Sequence, residues 1–249
     1  MRETLFGRHA VLESLRAGRR TPYRLVLSEA TVRMPIVDDI TALAKEQHVR
    51  IVSVPRSDID GIVGHEQHQG LALETSEYPY VDTRAMLSLA AERGEPLLLL
   101  LLDLIQDVRN LGSLIRTAEA VGVHGIVIQE RRAAGITPAT VNSSSGAAEH
   151  LLIAQVTNLP QEMARLKEAG AWMVGLEDVR EAQSHTQSDL TVPLGLVVGS
   201  ESDGLRRLVR DRCDWMIRMP MHGRINSLNA SIAGSVALYE VLRQRGLAV

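Results

Sequence analysis

The six consecutive leucines at Leu97–Leu102, followed by Asp103, constrain the fold of this chain more than any other stretch. A strand is apolar at every position when both faces of its sheet are covered, as in parallel sheets packed between helices. The run is too short for a membrane helix, which needs about 20 apolar residues. The leucines therefore predict a buried strand of a parallel sheet, and no membrane association is expected.

Strand-like and helix-like segments alternate on both sides of the leucine run. Before it come the helix GRHAVLESLRAG, the strand YRLVLS, the helix PIVDDITALAKEQH and the strands VRIVSV and QGLALET. After it come the helix LGSLIRTAEAVG, the strand GIVIQ, the helix PQEMARLKEAG and the strands AWMVGL and LGLVVG. This order predicts an α/β fold with a small domain over 1–76, a linker and connecting helix over 77–95, and a second domain with a mainly parallel sheet over 96–249.

Composition and charge indicate the cellular location of the protein and the kind of partner that it can attract. The single cysteine, Cys213, excludes an internal disulfide, and the first residues lack the apolar segment of a secretory signal, so a cytoplasmic location is expected. The net charge of −3 provides no overall attraction to nucleic acid, but seven arginines against three glutamates lie in residues 1–33. Two interpretations of this cluster stay open, a solvated basic face and an arginine-rich surface that contacts a phosphate backbone.

Several familiar site motifs do not fit the sequence. Neither the G-x-G-x-x-G turn of dinucleotide-binding folds nor the G-x-S-x-G elbow of hydrolases is present. The GSESDG turn has two glycines spaced as in a phosphate loop, but Leu205 and Arg206 stand where that loop needs Lys and Ser or Thr. His65 and His68 have a ligand-like spacing without a cysteine partner, so structural or exposed histidines are favoured and no metal is expected.

Three polar segments each follow a buried apolar run, at 103–116, 199–204 and 218–229. Ligands of α/β sheets bind at the carboxyl ends of the strands. In the first segment Asn110 is placed to cap a helix, with Arg116 less than two turns further on. In the third, Ser227 and Asn229 flank Leu228 at the start of the last helix, where capping is the plain alternative. The small residues of that helix, which runs from about 227 to 245, predict close packing against another backbone.

Taken in order, the three segments closely resemble the three motifs of the SpoU/TrmH family of RNA 2′-O-ribose methyltransferases, in the SPOUT superfamily. The patterns are N-x-G-x-x-x-R, G-S-E-x-x-G-L and M-P-M-x-G-x-x-x-S-L-N-x-S, and the stretch SGAAEHL is similar as well. FGRHAVLESL and HQGLAL are similar to the L30e-like RNA-binding domain that precedes the catalytic domain in many members. The nearest members methylate a guanosine of 23S rRNA.

The resemblance implies that the second domain is an α/β trefoil knot that binds S-adenosylmethionine in a bent shape, with the adenosyl part against Gly199, Met219 and Leu228. It also implies a catalytic set of five residues: Asn110, Arg116, Glu201, Ser227 and Asn229. The family proposal makes Arg116 the general base. Because a guanidinium stays protonated in proteins, we expect Arg116 instead to hold the target phosphate and stabilise the developing alkoxide. Ser202 replaces a glycine that many members have, which predicts a slightly altered turn.

The implied function is S-adenosylmethionine-dependent 2′-O-methylation of a ribose in 23S rRNA, free or in an assembling particle, by a homodimer. Two alternatives stay open. The first is tRNA ribose methylation, against which the N-terminal domain argues, because the tRNA enzymes usually rely on short terminal extensions. The second is a non-catalytic RNA-binding factor that keeps the knot, against which the presence of all five catalytic residues argues.

Overall fold

The computed structural model describes residues 2–30, 34–200, 203–224 and 227–246. The strands are β1 (Arg2–Phe6), β2 (Pro22–Ser28), β3 (Arg50–Val54), β4 (Leu71–Ser76), β5 (Leu98–Asp103), β6 (Gly125–Gln129), β7 (Ile153–Val156), β8 (Trp172–Leu176), β9 (Gln183–Ser184), β10 (Leu194–Gly199) and β11 (Trp215–Arg218). The helices are α1 (Arg8–Ala17), α2 (Pro35–Glu46), α3 (Arg56–Val63), α4 (Thr83–Arg93), α5 (Val108–Ala120), α6 (Pro138–Ser143), α7 (Leu159–Glu168), α8 (Arg207–Arg210) and α9 (Ala230–Gln244), with a 3₁₀ turn at Ala147–His150. None of the helices formed by these residues combines the length and hydropathy of a membrane span.

The contacts divide the chain into two compact units. The first unit contains Met1–Pro79 together with Ile136–His150, and the second contains Tyr80–Gly135 and Leu151–Val249. The first break lies close to the end of the small domain expected over 1–76. The assignment of 136–150 to the first unit was not expected, because the sequence pattern places this segment between two strands of the second.

The first unit is built on a four-stranded mixed sheet in the order β1-β4-β2-β3. Strands β1 and β2 are antiparallel to β4, and β2 is parallel to β3. Helix α1 ends as predicted, with Gly18 in the left-handed region at φ +61° and its N–H donating to the Ser14 carbonyl at 3.2 Å. Strand β1 and helix α3 were not predicted, because Leu5 and Ile59 are their only fully buried side chains.

The second unit is built on a seven-stranded sheet in the order β7-β6-β5-β10-β8-β11-β9, with every neighbouring pair parallel. Strand β5 is buried at all six positions and pairs with β6 on one side and β10 on the other. The prediction of an α/β fold with a mainly parallel sheet is confirmed. The carboxyl ends of β5, β10, β8 and β11 follow one another along one edge of this sheet.

The last helix begins at Ala230 rather than at the predicted residue 227. Asn229 is its N-cap, because its side-chain Oδ1 accepts from Ser231 N at 2.9 Å and Ile232 N at 3.2 Å. A Cβ added to Gly234 would lie 2.7 Å from Leu114 Cδ2. The close packing is therefore confirmed, but the neighbours are side chains of α5 and β10 and not a backbone. The expected trefoil passage includes 201, 202, 225 and 226, which lie outside the described residues.

Candidate functional site

A cavity of about 170 Å³ opens at the carboxyl ends of β8, β10 and β11. Its wall is formed by the residues that end these strands or follow them and by the start of α9. All three residues expected to contact a cofactor line this cavity, and so does one of the expected catalytic residues: Gly199, Met219, Leu228 and Ser227. The structure thus brings together residues from two segments that are about 20 residues apart in the chain.

The loop after β10 folds back onto Gly199. Ser200 and Gly204 exchange backbone hydrogen bonds of 3.2 and 3.0 Å, and Gly204 has a positive φ of +64°. A Cβ added to Gly199 would lie 2.3 Å from the Gly204 carbonyl, so only glycine fits there. The expected catalytic Glu201 and the substituted Ser202 lie outside the described residues.

Two carboxylates in the cavity wall were not predicted from the sequence. Glu177 and Asp178 follow β8 directly. Glu177 accepts from Arg210 Nε at 2.6 Å and Nη2 at 2.8 Å, and this hydrogen bond raises the pKa of the Arg210 guanidinium. The rule that polar residues after a buried strand mark the ligand edge also applies to the sequence AWMVGLED and could have identified both.

An amide pair connects the first and third polar segments. Asn229 Nδ2 donates to Asn110 Oδ1 at 3.0 Å, while Asn229 Oδ1 is held by the first turn of α9. The prediction that Asn110 caps its helix is wrong. Asp107 is the cap of α5, since its Oδ1 accepts from Arg109 N at 2.7 Å and Asn110 N at 2.9 Å. The Asn110 side chain contacts Asn229, and the capping role belongs to Asp107.

A second cavity, of about 220 Å³, lies beside this amide pair. Asn110 lines it together with the loop after β5 and with Asp203, and Ser200 is shared with the first cavity. Arg116 lies further along α5 and is exposed to solvent. Within the described ranges it is not part of the wall of either cavity. Two catalytic candidates, Asn110 and Asn229, are thus in direct contact.

The two closely spaced histidines have structural surroundings. His68 is fully buried, its Nε2 lies 2.7 Å from Asp60 Oδ1, and its Nδ1 accepts from Gly70 N at 3.1 Å. His65 packs edge-on against Phe6, with 4.4 Å between ring centroids. In the part of the chain that the structure describes, no group of three or more His, Cys, Asp or Glu side chains is arranged to hold a metal ion.

The arginine cluster of residues 1–33 does not form one basic surface. Arg20 is 4% exposed and donates from Nε to both oxygens of the buried Glu149 at 3.0 Å. Arg24 pairs with Glu74, and Arg16 pairs with Glu13 at 2.9 Å. Arg33 lies outside the described residues. The interpretation as a phosphate-binding surface is therefore wrong for Arg20, whose charge is used inside the first unit.

Comparison with known proteins gives matches along nearly the whole chain. The SpoU rRNA Methylase family matches residues 97–239, and the RNA 2′-O ribose methyltransferase substrate binding family matches residues 4–81. A Bacillus subtilis protein named putative TrmH family tRNA/rRNA methyltransferase YacO is 42% identical over 241 residues, which cover 97% of this chain and 95% of that protein.

Solved structures with a similar fold separate into two groups by coverage. The SpoU methyltransferase AviRb from Streptomyces viridochromogenes, solved in complex with its cofactor AdoMet, has a TM-score of 0.81 at 24% identity and covers 99% of this chain and 92% of its own. The TrmH/SpoU tRNA modifying enzyme of A. aeolicus has a TM-score of 0.57 at 30% identity and covers 61% of this chain and 77% of its own.

Proposed function

Because the chain belongs to the SpoU family of RNA methyltransferases, we propose that it transfers a methyl group from S-adenosylmethionine to the ribose 2′-hydroxyl of a guanosine in 23S rRNA, as a step in ribosome biogenesis. The observation that carries the proposal is the hydrogen bond between Asn110 and Asn229 at the edge of the sheet, beside the cavity that Gly199, Met219 and Leu228 line. An rRNA substrate would place the reaction in the cytoplasm.

The residues of the first cavity suit S-adenosylmethionine. The close return of the loop over Gly199 forms a wall of backbone, against which a flat adenosyl group would pack. Glu177 and Asp178 provide carboxylate oxygens that suit ribose hydroxyls, and each is paired with an arginine, Arg210 and Arg218 respectively. Bound there, the cofactor supplies an electrophilic methyl group. Gly199, Met219 and Leu228 would hold its adenosyl part.

The protein side of the reaction is mainly a matter of positioning. A ribose hydroxyl is a poor nucleophile that loses its proton as the new bond forms. Holding the attacking oxygen in line with the methyl–sulfur bond that breaks would contribute up to roughly 7–11 kcal/mol, as in well-oriented systems. Asn110 and Asn229 would orient the ribose, and Arg116 would bind the target phosphate and stabilise the developing alkoxide. Ser227 would help fix substrate and cofactor, and Glu201 would orient its neighbours.

The substrate proposal is supported by the first unit. The substrate-binding family covers residues 4–81, and the tRNA-modifying neighbour aligns with only 61% of this chain. Methylation of tRNA is the alternative within the family. A non-catalytic RNA-binding factor is the alternative outside it, and the contact between Asn110 and Asn229 at the candidate site argues against that alternative.

Nucleotide mapping tests this substrate proposal. Unmodified 23S rRNA transcript and bulk unmodified tRNA are incubated separately with protein and S-adenosylmethionine, digested, and analysed by mass spectrometry of the fragments. We expect one 2′-O-methylguanosine in the 23S transcript. Modification of tRNA alone would favour the alternative enzyme, and modification of neither, with cofactor binding intact, would favour the binding factor.

Replacing Gly199 with alanine is expected to weaken S-adenosylmethionine binding by about tenfold or more, because the added Cβ would lie 2.3 Å from the Gly204 carbonyl and would push the loop away. Isothermal titration calorimetry measures the effect. Gly61 in α3 is the matched control, since a Cβ there meets nothing within 4 Å. Equal cofactor affinity in the Gly199→Ala and Gly61→Ala proteins would contradict the assignment of this cavity.

A homodimer is proposed from the exposed face of α9. Ile232, Val236 and Tyr239 lie on this face and are 53%, 42% and 53% exposed, an apolar stripe that a second copy would cover. Light scattering at micromolar concentration is expected to give twice the chain mass of 27.3 kDa. The variant Val236→Glu is expected to give the monomer mass, whereas Leu208→Glu, at an isolated exposed leucine, is not. A monomer mass for the unaltered protein would refute the dimer.

A further inference from the structure

Asp103, the last residue of β5, is a fully buried carboxylate. It accepts two hydrogen bonds from Arg206, from the backbone N at 2.9 Å and from Nε at 2.8 Å, and forms an ion pair with Nη2 at 2.7 Å. Burying a carboxylate is costly unless it is paired and hydrogen-bonded, and here one residue supplies both hydrogen bonds and the opposite charge. The Arg206 side chain is 42% exposed, so the guanidinium reaches the buried oxygens from the surface.

The position of this pair in the sheet gives it a second role. Asp103 stands opposite Gly199 in the parallel register of β5 and β10. Arg206 follows the loop that begins at Gly199 and turns at Gly204. The segment 199–204 is here called the cofactor loop. It starts opposite Asp103, and Arg206, two residues after its end, is hydrogen-bonded to Asp103. Asp103 is thus next to both ends of the loop, since its backbone is in register with Gly199 and its carboxylate accepts from Arg206.

The restraint acts where the backbone is most crowded. A Cβ added to Gly199 would lie 2.6 Å from Leu205 N, so the chain leaving the loop passes directly over the end of β10. Leu205 N is hydrogen-bonded to Glu177 at 3.3 Å, and the next residue, Arg206, is bonded to Asp103. Two acidic side chains, one from β5 and one just after β8, the strands on either side of β10, thus hold consecutive residues of the loop exit.

Asp103 also precedes the helix that carries Asn110. The next residue, Leu104, has a φ of +59°, which is uncommon outside glycine, and its N–H donates to the buried Gln129 Oε1 at 3.1 Å. Asp107 then caps α5. Asp103 is therefore hydrogen-bonded to the residue that follows the cofactor loop and is connected through a short loop to the start of α5.

We propose that Asp103 is a positioning residue, which through Arg206 holds the cofactor loop in the shape that binds S-adenosylmethionine and in register with Asn110 on α5. The proposal rests on the proposed cofactor site. It assigns to Asp103 no contact with cofactor or RNA. A purely structural role predicts a loss of stability alone, whereas the positioning role predicts a loss of cofactor affinity in protein that is still folded.

The test compares Asp103→Asn with Asp214→Asn. The amide introduced by Asp103→Asn keeps the volume of the side chain but turns N–H donors toward the donors of Arg206. Asp214 is the matched control, because it also accepts from a backbone N, that of Met173 at 2.8 Å, and pairs with a cation, Lys167 at 2.7 Å, but precedes β11 at the other end of the strands. Thermal melts fix a temperature at which every variant is folded, and calorimetry then measures S-adenosylmethionine binding.

We expect Asp103→Asn to raise the dissociation constant of S-adenosylmethionine by about tenfold or more, and Asp214→Asn to leave it within about twofold at a comparable loss of melting temperature. Arg206→Lys, which keeps the backbone N–H and the charge, is the second variant and should show a smaller weakening. Should Asp103→Asn not fold, Arg206→Lys decides: an affinity equal to that of Asp214→Asn would overturn the proposal.

Binding of S-adenosylmethionine by Asp103→Asn within about twofold of the unaltered protein would equally overturn it. Because calorimetry needs no RNA, the result is separate from the substrate proposal. Unaltered protein that binds the cofactor but methylates no RNA would refute the proposed function and leave the Asp103 comparison valid. Unaltered protein that binds no S-adenosylmethionine would refute both.

Discussion

Replacing Arg116 with alanine is expected to lower kcat for RNA methyl transfer by about 100- to 1,000-fold, the loss typical of removing one preorganised group that stabilises developing charge. The affinity for S-adenosylmethionine is expected to stay unchanged, because Arg116 is not part of the cavity wall that holds Gly199 and Leu228. Single-turnover methylation at saturating RNA and calorimetric cofactor binding measure the two quantities separately.

Two further variants distinguish the possible roles of Arg116. Arg84→Ala is the control for loss of a surface charge, since the Arg84 side chain is 86% exposed and pairs with Asp82. Arg116→Lys keeps the positive charge and is expected to recover part of the rate. A rate of Arg116→Lys that rises with pH through about 10.4, the ordinary lysine pKa, would instead indicate a proton-transfer role. Unchanged methyl transfer in Arg116→Ala would remove Arg116 from the mechanism.

Replacing Glu149 with alanine is expected to lower the free energy of unfolding by about 3–5 kcal/mol, since breaking a buried ion pair leaves an uncompensated charge. The side chains of Arg20 and Glu149 are 1% and 0% exposed, with 2.9 Å between Arg20 Nη2 and Glu149 Oε1. Glu3 and the Ser76 carbonyl also accept from Arg20, which favours the lower end of the range. Urea denaturation followed by circular dichroism measures the loss.

The Glu149 prediction also specifies which region of the protein is destabilised. Hydrogen exchange is expected to increase first in Ile136–His150 and in α1, because Glu149 holds this segment to Arg20 in the first unit. Glu13→Ala is the matched control, since Glu13 pairs with the half-exposed Arg16 and with His150 nearer the surface, where ion pairs contribute about 0–1 kcal/mol. Glu149→Ala and Glu13→Ala proteins of equal stability would contradict this account.

The features that the sequence predicts well depend on local patterns. The six leucines of 97–102 predict a strand buried on both faces, Gly18 predicts a helix end, and Asn229 predicts a cap, and the structure confirms each of them. The edge of the sheet that carries the candidate site follows from the same pattern. Glu177 and Asp178 were missed although they obey the rule that identified the other segments.

The features that were predicted wrongly depend on distant partners or on a choice between equivalent residues. Arg20 was assigned to a surface because its partner Glu149 lies 129 residues away in the chain. Tyr78 lies beside Arg20 in the same interior, and burial raises the pKa of Tyr78 to about 12. Asp107 and Asn110 are both good helix caps by residue type, and only the backbone path out of β5 selects Asp107.

The measurement that tests the central claim most directly is the chemical location of a transferred methyl group. Unmodified 23S rRNA transcript is incubated with the protein and S-adenosylmethionine labelled in its methyl group, and the RNA is then hydrolysed with alkali. A ribose 2′-O-methyl group blocks cleavage at its own phosphodiester, so the account predicts that the label is recovered in a single alkali-resistant dinucleotide. Label recovered in mononucleotides would mean methylation of a base and would contradict the account.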